Sequence, residues 1–213
     1  MAKITPTLEL EHAHAAATGG LVAGIDEAGR GPLAGPVVAA AVILDANRLP
    51  AGIHDSKTLS RSRREALFEA ILEQAMVGIG EASPAEIDEI NILQATFLAM
   101  RRAVEALPVA PAFALIDGNR APKLAIACQT VVKGDAKCLS IAAASIVAKV
   151  TRDRIMDRLA AETPGFGWER NAGYGTAEHL GALRQIGPTA HHRRSFSPVR
   201  EAFEARLAQE LAD

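Results

Sequence analysis

The stretch GIDEAGRGPLAGPVVAAAVIL, residues 24–44, decides the fold class, because it joins two apolar segments through a turn of glycines and prolines. The first apolar segment, Leu21–Ile25, is predicted to be a buried strand that ends at Asp26. The second, Val37–Leu44, is predicted to be another strand. The turn between them is too short to hold a crossover helix, so the strands are predicted to pair as an antiparallel hairpin.

Beyond the hairpin, apolar patterning predicts further helices and strands that together build one mixed sheet. Strands are predicted over Met76–Gly80, Phe113–Ile116 and Ile126–Val132, and helices over Ser60–Ala75, from the capping box Ser83-Pro84-Ala85-Glu86, and from Leu139 onward. The remainder is predicted to be loop and short helices. The fold class is therefore α/β, a mixed five-stranded sheet flanked by helices, with a helical C-terminal extension.

Length and composition predict one main domain. The chain has 213 residues, of which 49% are hydrophobic and 23% charged, which excludes a largely disordered chain and a coiled coil. We expect a flexible arm over residues 1–19, the main domain over 20–200 and a helical tail over 201–213. No apolar run approaches the roughly 18 residues of a membrane span, and the N-terminus carries charges. We therefore expect a cytoplasmic protein that does not enter a membrane and works as a monomer.

The charge pattern gives a weak hint of a partner. The formal net charge of −2 does not indicate a nucleic-acid-binding protein, but residues 165–200 are locally basic and could contact phosphates. Within that stretch, His191 and His192 are expected to face solvent. Cys128 and Cys138 are expected to be buried thiols, since two cysteines make neither a disulfide framework nor a structural zinc site.

Acidic residues stand at or just after the ends of three predicted strands. Asp26, Asp117 and Asp135 occupy these places, and ligands of open α/β sheets gather outside the carboxyl ends of strands. Glu27 can join Asp26 only if the chain bends there, which the following Ala28-Gly29 allows. A single Asp at a strand end is more often a turn former or helix cap. The indication of a functional site therefore comes from the four acids together and not from any one of them.

Carboxylates gathered in this way would repel each other unless cations neutralise them. None of these acids has a Lys or Arg as its immediate neighbour in the sequence. All-oxygen ligands suit Mg²⁺ or Mn²⁺, and a pair of such ions about 3.5–4 Å apart is a known device for phosphodiester cleavage.

A dinucleotide-binding site is a competing interpretation, because Gly29–Ala34 formally satisfies the G-x-G-x-x-G/A pattern after a strand. That fingerprint must open a helix, whereas Pro32, Gly35 and Pro36 lead here into the second predicted strand. The acids at Asp26 and Glu27 would also repel a pyrophosphate. No P-loop sequence is present.

The chain closely resembles the ribonuclease HII family, the bacterial type 2 ribonucleases H, in unbroken order from about Leu21 to Val199. The segments that carry the resemblance are Gly24–Leu44, Asp55-Ser56-Lys57, Ile116–Arg120, Val132–Asp135, Ser140–Asp153, Gly173–Thr176 and His191–Phe196. The resemblance implies an RNase H-like fold. It also implies an endonuclease that hydrolyses the RNA strand of RNA/DNA hybrids and cuts 5′ of ribonucleotides embedded in duplex DNA, leaving 3′-OH and 5′-phosphate ends.

The resemblance further assigns roles to the acids. It places Asp26, Glu27, Asp117 and Asp135 in the catalytic set, with the first three as metal ligands and the fourth completing the site. The implied cofactor is Mn²⁺ or Mg²⁺, with two ions during catalysis. A catalytically silent hybrid-binding module is the alternative from another class, and the presence of all four acids favours the hydrolase.

The resemblance also implies a set of substrate-binding residues, for which a purely structural role remains the alternative. The family match gives Gly29, Arg30 and Gly31 the task of sensing the ribose, and glycines do let a backbone approach a sugar closely. Tyr174 matches the residue that reads the 2′-OH and packs on the neighbouring deoxyribose, although a tyrosine packed for stability is the alternative.

Three more candidates are weaker. Lys57 could grip a phosphate or simply be solvated. Ser145 and Lys149, four residues apart on one helical face, are expected to make helix-packing contacts rather than to act in the site.

Overall fold

The computed structural model describes residues 5–211, without the side chain of Glu210, and confirms the predicted mixed five-stranded sheet. The strand order is β3-β2-β1-β4-β5. The strands are β1 (Val22–Ala28), β2 (Val37–Leu44), β3 (Ala75–Ala82), β4 (Phe113–Asp117) and β5 (Ala127–Val131). The helices are α1 (Glu9–Thr18), α2 (Arg61–Gln74), α3 (Pro84–Glu105), α4 (Leu139–Glu162), α5 (Trp168–Asn171), α6 (Ala177–Ile186) and α7 (Ser197–Glu210).

The predicted hairpin is confirmed, because β1 and β2 pair antiparallel. The bend expected after Asp26 does not occur inside the strand. Pairing continues through Glu27, opposite Ala39, to Ala28, opposite Val38. The chain leaves the strand at Gly29, whose φ of 96° favours glycine. The strand is therefore longer than its apolar run, since backbone pairing extends it past the acids.

Parallel pairing sets the place of the acids. β1 pairs parallel with β4, with Ile25 beside Ile116, and β4 pairs parallel with β5. Asp26 and Asp117 each follow these paired isoleucines. Because parallel neighbours run in the same direction, both residues lie at the same edge of the sheet, the one formed by the carboxyl ends of β1 and β4.

The chain forms two compact units. The first contains the sheet and comprises residues up to Ala28, Val38–Glu81 and Thr96–Val150. The second comprises Gly29–Val37, Ala82–Ala95 and the residues from Thr151 onward. The core of the first includes Val42, Phe68, Ile71, Ile146 and Val147, and that of the second includes Leu33, Met156, Phe166, Trp168, Leu183 and Val199.

From residue 5 onward, the N-terminal segment contains a helix, whereas the sequence leads us to expect a flexible arm over residues 1–19. Its described part forms α1, and the buried Glu11 accepts hydrogen bonds from Ser140 N–H at 2.9 Å and Ser140 Oγ at 2.7 Å. Thr7 N–H also donates to Lys137 O, and Leu139 N–H to Thr7 O, both at 2.9 Å. The segment is held because it caps the start of α4, whose first N–H groups lack partners within the helix. Residues 1–4 lie outside the described part.

Two helix starts agree with the sequence, and one helix is interrupted. The capping box before α3 is confirmed, since Ser83 N–H donates to Glu86 Oε2 at 2.8 Å and Glu86 N–H to Ser83 Oγ at 3.2 Å. α4 begins at the predicted Leu139. Within α3, Asn91 has a φ of 65°, and its Oδ1 accepts the N–H groups of residues 93 and 94. The side chain thereby caps a new helical start.

The C-terminal boundary differs from the expectation. α7 begins at Ser197, so the boundary expected between residues 200 and 201 falls inside a helix whose Val199 is buried in the core of the second unit. Of the helices that the structure describes, none combines the length and apolar character needed to cross a membrane.

Candidate active site

The acids at the sheet edge act on one another electrostatically. Asp26 is buried on β1, Asp117 ends β4, and Asp135 lies in the 3₁₀ turn Gly134–Ala136 that follows β5. Burial raises the pKa of Asp26 well above its ordinary value, and the charges of Glu27, Asp117 and Asp135 raise it further. Glu27, Asp117 and Asp135 therefore all lie within electrostatic reach of Asp26, and Glu27 does so as the next residue of the paired strand rather than through a bend.

Backbone donors hold two of these carboxylates. Glu27 N–H donates to Asp26 Oδ1, and Gly134 N–H donates to Asp117 Oδ1, both at 2.7 Å. Burial raises the pKa of Asp117, the bond from Gly134 opposes this rise, and the charge of Asp135 adds to it. A Cβ at residue 134 would lie 2.6 Å from Ile141 Cδ1 and 3.2 Å from Asp117 Oδ1. Glycine is therefore the residue that lets this turn approach Asp117.

Lys57 brings a positive charge to the cluster from a distant part of the chain. Its Nζ lies 3.3 Å from Asp135 Oδ2. Partial burial acts to lower the pKa of Lys57, but the charges of Asp135, Asp26 and Asp55 outweigh it and leave the pKa raised. Its side chain remains 77% exposed, so the ammonium group can also reach a solvent-side anion.

The donor chemistry of the cluster fits a hard divalent cation. Its candidate ligand atoms are carboxylate oxygens. The other three acids repel the charge of the buried Asp26, and the ammonium group of Lys57 offsets part of the negative charge. Across residues 5–211, no three His, Cys, Asp or Glu side chains stand in an arrangement already set to hold one metal ion. The acids are gathered, but their side chains are partly engaged with protein donors.

The glycine-rich loop and Tyr174 lie together in the second unit. An added Cβ on Gly31 would lie 3.3 Å from Tyr174 Cε1, so the missing side chain leaves room for the ring. The ring is not sequestered, because Tyr174 is 51% exposed. The structure thus places two of the predicted substrate-binding elements side by side, and Leu33 N–H donates to Gly173 O at 2.8 Å beside them.

The comparisons with known proteins agree with this geometry. The family model described as "Ribonuclease HII" matches residues 23–199. The ribonuclease HII of Paramagnetospirillum magneticum is 64% identical over 185 residues, which cover 85% of this chain and 92% of that protein. That of Rhodospirillum rubrum is 61% identical over 204 residues, 93% of this chain and 92% of that protein.

The crystal structure of the ribonuclease H2 from Pyrococcus horikoshii has the same fold, with a TM-score of 0.73 and 29% identity over 87% of this chain and 98% of that one. The chain belongs to the ribonuclease HII family. Ribonucleases HII degrade RNA in RNA/DNA hybrids, and the chain is accordingly an enzyme, a divalent-metal-dependent endoribonuclease.

Two buried arginines of the chain are not predicted from the sequence. Arg193 donates to the carbonyl oxygens of Gly29 at 2.6 Å, Arg30 at 3.1 Å and Gly35 at 2.9 Å. Arg152 donates to those of Pro36 at 3.0 Å, Ala34 at 3.1 Å and Ala172 at 2.9 Å. Burial lowers the pKa of Arg193 to about 9 and that of Arg152 to about 10. In the sequence, Arg193 is one basic residue among several, and no local pattern marks it as buried.

The expectation that His192 faces solvent is wrong, because the residue is buried. Thr189 N–H donates to His192 Nδ1 at 3.0 Å, so the proton is on Nε2, which lies 3.1 Å from His179 Nε2. Trp168 Nε1–H donates to the same His179 nitrogen at 3.1 Å. The remaining nitrogen, His179 Nδ1, therefore carries a proton and donates to Tyr174 O at 2.9 Å. This chain of bonds fixes the backbone at Tyr174.

The structure also places the other residues considered in the sequence, which are the two cysteines, Ser145 and Lys149. Cys138 is buried as expected, and burial raises the pKa of its thiol to about 12. Cys128 is only half-buried, contrary to expectation, because it lies on the edge strand β5. Ser145 Oγ lies 2.6 Å from Ser56 Oγ in the interior, a packing role consistent with the expectation. Lys149 is half-buried on α4.

Proposed function

We propose that this chain cuts on the 5′ side of ribonucleotides embedded in duplex DNA, as well as within the RNA strand of hybrids, and leaves 3′-OH and 5′-phosphate ends. The observation that carries this proposal is the group of four carboxylates around the end of β1, where burial and then the charges of Glu27, Asp117 and Asp135 raise the pKa of Asp26. A buried anionic cluster of this kind is costly to the fold unless cations bind to it. The cost is understandable if the cluster exists to bind them.

Asp26, Glu27 and Asp117 are the proposed metal ligands, and Asp135 completes the set. The oxygen ligands favour Mn²⁺ or Mg²⁺, and two ions are proposed to act during catalysis. When bound, such ions supply Lewis-acid activation of water and stabilisation of the leaving oxygen. Gly134 N–H holds one oxygen of Asp117, which orients that carboxylate before any ion arrives.

Lys57 is proposed to contact a backbone phosphate near the cleaved bond. Its hydrogen bond to Asp135 holds the ammonium group beside the acids, and most of its side chain is exposed to an approaching substrate. A positive charge in this position reduces the repulsion between the acidic cluster and a phosphodiester.

Gly29, Arg30 and Gly31 are proposed to contact the ribose, and Tyr174 to donate or accept a hydrogen bond at its 2′-OH and pack on the neighbouring deoxyribose. The exposed ring beside Gly31 supports this role. The 2′-OH is the group that distinguishes RNA from DNA, and both a phenol and backbone groups can bond to it. We further propose that the enzyme acts as a cytoplasmic monomer on nucleic acid, away from membranes.

The test is cleavage of a DNA duplex that contains one ribonucleotide, with Mn²⁺ or Mg²⁺, by Asp26→Asn and Asp117→Asn variants. We expect both to keep the circular dichroism spectrum and to lose cleavage by at least about a hundredfold. Glu73→Gln, an exposed acid on α2, is the matched control and should cleave normally. Near-normal turnover in either Asp variant contradicts the proposal, and binding without any cleavage by the unaltered chain supports the silent binding module instead.

A further inference from the structure

The contacts of Arg193 lead us to propose that it is a positioning residue, which orients the peptide planes of Gly29–Gly31 so that the loop can recognise a ribonucleotide. The inference rests on the proposed function, because it concerns the same ribose-contacting loop. It assigns no contact with substrate to Arg193 itself, whose side chain is inside the second unit.

The guanidinium of Arg193 is used entirely on backbone carbonyls in the contacts described above. Nη2 donates to Gly29 O, Nη1 to Arg30 O and Nε to Gly35 O. Arg193 is 0% exposed, so water does not compete for these bonds. Two consecutive carbonyls of the loop are therefore turned toward the interior by one rigid, forked donor.

The orientation of these carbonyls determines what the loop presents on its other side. In a trans peptide, the C=O and N–H of one plane point in opposite directions. Because the carbonyls of Gly29 and Arg30 point at Arg193, the N–H groups of Arg30 and Gly31 point away from it. The side of the loop away from Arg193 thus presents N–H donors, the groups suited to a ribose hydroxyl or a phosphate oxygen.

Arg152 reinforces the same arrangement from a second direction. It donates to Ala34 O and Pro36 O in the loop, and to Ala172 O, two residues before Tyr174. Gly29 lies so close to the Arg152 side chain that a Cβ there would overlap Nε. Together the two arginines fix five carbonyls of residues 29–36 and one beside the tyrosine turn.

The segment that carries Arg193 is itself anchored. Asp88 accepts hydrogen bonds from Arg194 N–H at 2.9 Å, Ser195 N–H at 2.8 Å and Ser195 Oγ at 2.6 Å. Arg193 N–H donates to Leu33 O at 2.9 Å, which ties its backbone to the loop as well. A lysine at residue 193 would keep the positive charge, but its single ammonium group cannot reproduce the three-way fork.

The test uses the Asp117→Asn background, in which substrate is bound and not cut, and compares Arg193→Lys with the unaltered residue 193. Dissociation constants are measured for a duplex with one ribonucleotide and for the same duplex made entirely of DNA. We expect Arg193→Lys to reduce the preference for the ribonucleotide about tenfold, the effect of losing one or two well-placed hydrogen bonds. Arg158→Lys, an exposed arginine on the same helix as Arg152, should leave the preference unchanged.

A second readout separates positioning from general structural damage. In the otherwise unaltered enzyme, Arg193→Lys should raise KM for the single-ribonucleotide duplex while the affinity for Mn²⁺, measured by titration calorimetry, stays the same. A folded Arg193→Lys variant with an unchanged preference overturns the inference. If that variant does not fold, Asp88→Asn, which loosens the anchored segment and keeps the guanidinium, takes its place, and an unchanged preference then has the same meaning. Absence of any ribonucleotide preference with Arg193 intact would instead remove the proposed function.

Discussion

Asp26 is the residue on which the electrostatics of the site converge. Burial and three neighbouring acids raise its pKa, so the folded chain holds a proton there more strongly than the unfolded chain does. Stability contributed by the protonated form is full below the unfolded value of about 3.8 and is lost as pH rises through the folded pKa. Above the unfolded value and without metal, Asp26 therefore makes the folded chain less stable than it is in acid.

Asp26→Asn is accordingly expected to be more stable than the unaltered chain at pH 7 in the presence of a chelator. Each kcal/mol of relieved repulsion should raise Tm by about 2–4 °C. The advantage should shrink at pH 3 and again on addition of Mn²⁺, which stabilises only the chain that can bind it. Thermal unfolding followed by circular dichroism measures this, and a variant that melts lower than the unaltered chain at pH 7 contradicts it.

Lys57 is expected to act through charge. Lys57→Gln should raise KM several-fold and reduce the slope of log affinity against log salt by about one, the value for loss of one phosphate contact. Lys123→Gln, an exposed lysine in the same unit, serves as the control. Binding isotherms at four or more salt concentrations give the slope, and an unaltered slope would remove Lys57 from the phosphate contacts.

At the scale of elements, the sequence was sufficient wherever a local rule determined the structure. The apolar runs gave all five strands within a few residues, the capping box gave the start of α3, and the small-residue run gave α4 from Leu139. The break at Asn91 was missed because the apolar stripe continues through it, and only its side-chain capping bonds reveal it. The docking of α1 was missed because its anchor is a bond between residues far apart in the chain.

That anchor gives a stability prediction. Glu11→Ala removes the acceptor for Ser140 N–H and Oγ at the start of α4 and should lower the free energy of unfolding by about 1–2 kcal/mol. Glu9→Ala, in the same helix and exposed, should change it by less than about 0.5 kcal/mol. Urea denaturation measures both, and equal effects of the two changes would show that Glu11 does not act as a cap.

At the scale of the whole molecule, the site divides into a predictable and an unpredictable part. The proximity of Asp26 and Asp117 was predictable, because strand ends and parallel pairing bring both residues to one side of the sheet. Arg193 and His192 were not, because the segment around them, HHRRSF at residues 191–196, has a single apolar residue, and their burial depends on distant parts of the chain. Their partners are mostly backbone carbonyls and other polar groups, which leave no complementary charge in the sequence.

Acid should destabilise the molecule through its buried histidines. Burial, together with His179 and His191, lowers the pKa of His192 to about 3 in the folded chain, from 6.5. The unfolded chain therefore takes up a proton first, and stability is lost as pH falls from 6.5 towards 3, with a limiting slope of about 1.4 kcal/mol per pH unit. The raised pKa of Asp26 has the opposite effect, because its contribution to stability increases as pH falls.

His192→Asn should flatten this dependence, although its stability at pH 7 should fall because the hydrogen bond to His179 is lost. Urea denaturation at several pH values between 4 and 8 measures the slope. A slope that His192→Asn leaves unchanged would show that another group takes up the proton.

The central position of β1 has a consequence for how the enzyme loses its site. Local opening of a sheet begins at its edges, and here β3 and β5 are the edge strands while β1 is covered on both sides. Fraying from the β5 side would release the turn that carries Asp135 and leave Asp26 and Asp117 on the neighbouring strands β1 and β4. Damage by heat or denaturant should thus disable the enzyme in steps, and its innermost pair of acids should be the last part of the centre to disperse.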